Sequence, residues 1–354
     1  MASTHFTVLE SIEHQAGGCE RAGSALYAAL LRGLADDHRA GGITAALLEG
    51  VSDQPVHDAV PLRYLATAHR LALAGDAPDL AARYPSCGGS WSPGDGAGDL
   101  TATFLRTVAD HRDEMVAGLQ RNVQTNEVGR ATVITAGLSW IVEQHAMPVR
   151  TLEIGASAGL LSRWPHYAYD TGASSTGDPS SALRFDASWY LVAPPLRPDL
   201  RAVECAASDI SPIDASSPNG RLTMLSFLWP DQHERRARLL AALDIAAEHP
   251  VTVERADAGA WLHDRLSAGL PHGAATVVYH SIVWQYLPRP TRDGVRSALR
   301  GSGEGATPAA PLCWLRMEPA TPEHADLRVT TWPGGEEVVL AEVGYHGGAI
   351  RWLR

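Results

Sequence analysis

The residues that could do chemistry in this chain fall in a few short polar stretches. His280 closes the apolar run "ATVVYH" (275–280), and an imidazole titrates near neutrality, which suits a general acid or base. Glu127, inside "QTNEVGR" (124–130), is a second candidate base. Gln124, Asn126 and Arg130 around it carry donors fit to bind a carboxylate, a sulfate or an amide. Asp231, in "LSFLWPDQHERRARLL" (225–240), is a third acid–base candidate. Trp229 and Gln232 beside it, and Trp284 after His280, are candidate substrate contacts. Each has a plainer alternative. Thr125 or Asn126 can cap a helix with Glu127, Asp231 and Gln232 suit the first turn after Pro230, and the tryptophans and His280 can be interior packing.

A second group is defined by spacing. In "RTLEIGASAGLLSRW" (150–164) an apolar strand ends in Glu153 and meets a turn of small residues leading toward a helix. Gly155 and Gly159 let the backbone approach a ligand closely, and the following helix would offer free N–H groups. Ser157 stands where nucleotide-type turns usually carry a further glycine. Asp209 and Asp257 end two later apolar runs, where an acid can accept from ribose hydroxyls or an adenine amino group. Together Glu153, Gly155, Ser157, Gly159, Asp209 and Asp257 outline a site for a nucleotide-like cofactor; the alternative is that the acids form caps and turns. "GASAG" also has the length and glycines of a serine-hydrolase elbow, with His280 later in the chain and Asp257 as the orienting acid.

The elements that must position these groups follow from periodicity. Residues 1 to 147 read as a mainly helical domain, with amphipathic runs at 24–38, 60–75, 79–84, 100–122 and 128–145. A Gly/Pro/Ser-rich loop spans 85–99. From 148 to 354 strands alternate with helices, predicting a parallel α/β sheet. Its strands fall at 150–154, 202–207, 251–255, 275–280 and 311–317, its helices at 231–249 and 291–301, and its insertion near 165–200. The tail 327–353 reads as antiparallel strands around a Pro-Gly-Gly turn.

Composition narrows the function. The 354 residues carry a formal net charge of −11, against a nucleic-acid backbone as partner. The 29 basic residues are all arginine, so no lysine is present to form a Schiff base or a phosphate-loop contact. Four scattered cysteines and the histidine spacing predict neither a disulfide framework nor a metal. No apolar run reaches the ~20 residues that span a bilayer, and the N-terminus lacks the pattern of a signal peptide. The expectation is a cytoplasmic protein with a small-molecule substrate and room for a protein partner.

"QTNEVGRA", "LEIGASAGL", "YAYD…GDPSS", "WPDQHERRARL", "VVYHSIVWQYLP" and "TWPGG" together resemble a bacterial family known as domain of unknown function 2332, over nearly the whole chain. The resemblance implies a Rossmann-like, methyltransferase-type sheet with a C-terminal antiparallel hairpin, preceded by a helical domain. The expected function is small-molecule modification in a cleft between that domain and the sheet ends, most simply methyl transfer from S-adenosyl-L-methionine (SAM). The alternatives are a SAM-independent cyclisation or elimination enzyme of secondary metabolism, and a non-catalytic subunit of a complex. No metal is expected.

Overall fold

A computed structural model describes residues 6–124 and 126–354. Among them the α-helices in chain order are α1 (Val8–Arg21), α2 (Ala25–Arg39), α3 (Ile43–Leu48), α4 (Val60–Ala74), α5 (Pro78–Ala81), α6 (Ala97–Asp110), α7 (Arg112–Leu119), α8 (Ala131–His145), α9 (Pro218–Ser226), α10 (His233–Glu248), α11 (Ala258–Ser267) and α12 (Arg289–Glu304). The strands are β1 (Val149–Ile154), β2 (Ala168–Asp170), β3 (Ser175–Gly177), β4 (Arg184–Phe185), β5 (Tyr190–Val192), β6 (Ala202–Asp209), β7 (Val253–Arg255), β8 (Ala275–Ser281), β9 (Leu312–Pro319), β10 (Ala325–Trp332), β11 (Glu336–Val343) and β12 (Ile350–Trp352). The protein is thus mixed α/β, as its alternating pattern implies.

The chain divides into two compact units: residues 1–125 with 218–237, and residues 126–217 with 238–354. This differs from a boundary drawn at 147/148. Helix α8 belongs with the strands because it packs on β8, β9, β10 and β11, and eleven of its residues are buried. The segment 218–237 belongs with the helices, and the division falls inside α10.

The first unit is helical. Leu26, Leu30 and Leu34 of α2 lie on one buried face with Leu31 beside it, joined by Tyr64 and Leu65 of α4 and Phe104 of α6. The helix expected over 100–122 is broken at His111, whose φ of −119° and ψ of 38° separate α6 from α7. Residues 79–84 make only the four-residue α5, and α1 and α9 have no counterpart in the sequence reading.

In the second unit a nine-stranded sheet runs in the order β5-β12-β11-β10-β9-β8-β1-β6-β7. β7, β6, β1, β8 and β9 are parallel neighbours; β9 through β12 pair antiparallel, and β5 adds parallel to β12. β1 is an interior strand and almost wholly buried, although Arg150, Thr151 and Glu153 stand among its apolar Val149, Leu152 and Ile154. Glu153 lies level with Tyr279, and His280 with Arg316. The segment 165–200 forms the small sheet β3-β2-β4 and ends by supplying β5. β7 is shorter than the strand expected at 251–255. The largest local departure follows β1: in place of the α-helix expected there, residues Leu161–His166 form a 3-10 turn that contains Pro165. Proline inside the run removes a backbone donor and stops an α-helix from growing.

Candidate functional site

In open α/β sheets ligands gather at the carboxyl ends of the strands where strand order reverses. Here the chain runs from β1 outward to β6 and β7, then returns to β8 and β9, so the reversal lies between β1 and β8. Two of the five non-glycine residues with left-handed backbone among the described residues lie there. Gly155, Ser157 and Gly159 have φ of 68°, 54° and 67°, and Ile282, just past β8, has φ of 50°. Left-handed backbone costs an L-residue roughly 1–2 kcal/mol and is least suited to a β-branched side chain. Ser157 therefore adopts the conformation of the glycine it replaces. Changing Ser157→Gly is expected to raise stability by about 0.5–1 kcal/mol in urea unfolding. A loss of stability would show that the hydroxyl's own interactions outweigh the strain.

The turn is closed on itself. Ala156 N donates to Ser208 O (3.0 Å), Ser157 N to Asp209 Oδ2 (2.8 Å), Gly159 N to Ala156 O (2.7 Å) and Leu160 N to Asn126 Oδ1 (2.8 Å). The other oxygen of Asp209 accepts from Ser211 N (2.7 Å). Asp209 and Asn126, expected to face ligand, thus hold the backbone that was to do so. Asp257 is the N-cap of α11: one oxygen accepts from Gly259 N and Ala260 N, the other from Thr291 Oγ1 of α12 (2.5 Å). Its cap reading is the one realised, and His280 is not its partner.

Glu153 is buried. Its Oε2 accepts from Ser162 Oγ (2.5 Å) and Tyr279 Oη (2.9 Å). Burial pushes its carboxyl up to about 7, against the two hydroxyl donors and the Arg163 guanidinium, which favour the ionised form. Arg163 in turn donates to the carbonyls of Ala158, Gly159 and His249, clamping the far end of the turn.

On β8, His280 forms a carboxylate–imidazole pair. Its Nδ1 lies 2.6 Å from Glu318 Oε1 at the end of β9, and the same oxygen accepts from Val283 N (3.1 Å) and Trp284 N (3.2 Å). Nδ1 is the donor, since the oxygen is a carboxylate, so Nε2 carries the lone pair. Nε2 is buried without a hydrogen-bond partner. The ring stacks on Trp284 (centroids 5.4 Å, 14°) and meets Trp314 at 5.9 Å, with Arg296 over Trp284 and Arg316 over Trp314 on their other contacts. Arg130 donates to Ser281 O (3.3 Å) and to Tyr345 O (3.0 Å), tying the β8 end to the β11–β12 connection.

The remaining candidates have other tasks. Glu127 caps the 3-10 turn Val128–Arg130 through Gly129 N and pairs with His346 at 3.4 Å. This replaces the cap expected from Asn126; Thr125 lies outside the described residues. Asp231, with Trp229 and Gln232, belongs to the helical unit. There its carboxylate accepts from Ser24 Oγ (2.6 Å) and Leu26 N (3.0 Å), Gln232 Nε2 donates to Gly23 O, and Trp229 packs near Tyr27. The "WPDQ" stretch is a clasp on the start of α2. Gln124 is buried in the helical unit, so the "QTNEVGR" stretch is divided between the two. Glu318, Tyr279, Ser162 and Ile282 are absent from the sequence reading. Glu318 alone left a signal, an acid at the end of an apolar strand like Glu153. Among the described residues no group of three or more His, Cys, Asp and Glu is placed to hold a metal, and no helix is long and apolar enough to cross a membrane.

The family model described as an uncharacterized protein conserved in bacteria (DUF2332) matches residues 10–352. No curated protein and no solved structure matches the chain.

Proposed function

The chain belongs to the bacterial DUF2332 family, and from that premise we propose that it is a small-molecule-modifying enzyme that performs acid–base chemistry at His280 without SAM. The observation that carries this reading is the 2.6 Å pairing of His280 Nδ1 with Glu318 Oε1, which leaves the lone pair on a buried Nε2 without a hydrogen-bond partner. Glu318 fixes the tautomer and stabilises the imidazolium that forms when Nε2 takes a proton, the role an orienting carboxylate plays beside a catalytic histidine. In an elimination, Nε2 takes the proton from the carbon next to the leaving group and the freed electron pair forms the double bond. The leaving group departs with the electron pair of the carbon–leaving-group bond that breaks, and the imidazolium gives its proton to that group. A cyclisation uses the same proton transfer to free an internal nucleophile.

The parallel order β7-β6-β1-β8-β9 supports a Rossmann-type, methyltransferase-like ancestry for the sheet. The residues at its turn do not fit SAM: the N–H groups of 156, 157, 159 and 160 are bonded within the chain, Glu153 is buried, and Asp257 is a helix cap. A SAM binder at 100-fold excess over its dissociation constant gains about 2.7 kcal/mol. The expected result is no thermal shift and no calorimetric heat with SAM or S-adenosylhomocysteine. Saturable binding would overturn this reading in favour of methyl transfer. A cytoplasmic small-molecule substrate is part of the same proposal.

A further inference from the structure

His280 is the proposed base, yet its side chain is 0% exposed. A substrate proton reaches Nε2 only if something moves, and of the groups packed on the ring, Trp314 and Glu318 belong to β9 whereas Trp284 belongs to a short segment outside the strands. Val283 leads into the 3-10 turn Trp284–Tyr286, whose first ring lies flat on the imidazole. The segment is itself open to solvent, with Tyr286 44% exposed.

Three features of this cover are unusual together. The residue at its base, Ile282, is β-branched and left-handed at φ 50°, anchored by its own N–H to Met317 O at 2.9 Å. The segment is held down through two amides, Val283 N and Trp284 N, which donate to the Glu318 oxygen that also receives His280 Nδ1. Val283 rests on the bare Gly155 Cα, where a Cβ would meet its Cγ2 at 2.4 Å. Strained residues of this kind persist where the surroundings over-determine them, and they gather at clamps and switch segments.

We propose that Val283–Tyr286 is a lid over His280, hinged at Ile282 and latched by Glu318, which opens to admit substrate to Nε2. The inference rests on the acid–base reading of His280. In the closed state Ile282 is strained and Glu318 carries three donors; opening relaxes the hinge and frees two amides. Glu318 is then a positioning residue in two senses, since one oxygen orients the base and fastens its cover. Gly155 supplies the seat on which the lid closes.

The test reads accessibility rather than turnover, so its failure is distinct from failure of the acid–base reading. The intact chain is treated with diethyl pyrocarbonate, and modification of individual histidines is followed by mass spectrometry. Ile282→Asn keeps the left-handed conformation at lower cost, holds the lid shut more of the time, and is expected to slow labelling of His280 about tenfold. Trp284→Ala removes the cover and is expected to speed it at least tenfold. His69 of the helical unit, buried with both ring nitrogens bonded, serves as the internal control and should not change. Unchanged His280 labelling in both variants, with His69 still protected, would overturn the lid. If a variant exposes His69 as well, amide hydrogen exchange of the unmodified chain decides. Faster exchange at Val283 and Trp284 than along β8 supports the lid, and exchange at the strand's own rate overturns it.

Discussion

Glu318→Ala is expected to lower the unfolding free energy by about 3–5 kcal/mol, the cost of stranding the groups around a buried partner. The magnitude follows from what one oxygen does. It accepts from His280 Nδ1 at 2.6 Å, Val283 N at 3.1 Å and Trp284 N at 3.2 Å, and each of these donors would lose its only protein acceptor among the described contacts. The imidazole would also lose the group that fixes its tautomer. Glu318→Gln separates the two roles, because an amide oxygen still accepts from all three donors but no longer bears the charge that stabilises an imidazolium. Urea unfolding should place Glu318→Gln much nearer the parent than Glu318→Ala. Equal losses for the two variants would mean that the charge, rather than the acceptor, carries the stability.

The second large effect is a pH dependence at Glu153. Burial raises its carboxyl to about 7 in the folded chain, from an ordinary value of 4.5. The folded state therefore binds this proton more tightly than the unfolded one. Below pH 4.5 both states hold it and the group contributes nothing. As pH rises from 4.5 to 7 the unfolded chain releases the proton first, so stability falls, and above 7 the full penalty, about 3 kcal/mol, is present. Glu153→Gln keeps an acceptor for Ser162 and Tyr279 and removes the ionisation. It should be close to neutral at pH 4.5 and stabilising by up to about 3 kcal/mol at pH 8.

The parent's own pH curve would conceal this. His69 of the helical unit is buried, which lowers it from 6.5 to about 4. Its folded form resists protonation, so stability is lost as pH falls from 6.5 toward 4, the opposite sign in nearly the same window. The difference between variant and parent, measured by denaturant unfolding at each pH, isolates Glu153. A difference that does not change with pH would show that Glu153 titrates normally.

Much of the frame is legible in the sequence because it depends on local pattern. Leu152 and Ile154 just ahead of a run of small residues announce the end of a strand, and the Gly155–Gly159 spacing announces a tight turn. The alternation of strands and helices after residue 148 is enough to predict an α/β sheet. What each polar group does is not local. Asp209, Asn126 and Asp257 read as ligand contacts, yet each is used by backbone N–H groups, in the first two cases 52 and 34 residues away.

The same limit explains Asp231. Its partners, Ser24 and Leu26, lie 207 and 205 residues earlier, so no spacing rule could reveal that the "WPDQ" stretch fastens the start of α2. Nor could it reveal that 218–237 belongs with the helices. Glu318 is the converse case, an unremarked acid that becomes the central acceptor because β8 and β9 are neighbours in register. The sequence by itself determined the strand, the turn and the histidine, since periodicity and backbone freedom act over a few residues. Tertiary structure alone decided which carboxylate meets which donor, because a buried polar group must find its partner in space. That requirement closed the turn around Ser157 and paired His280 with Glu318.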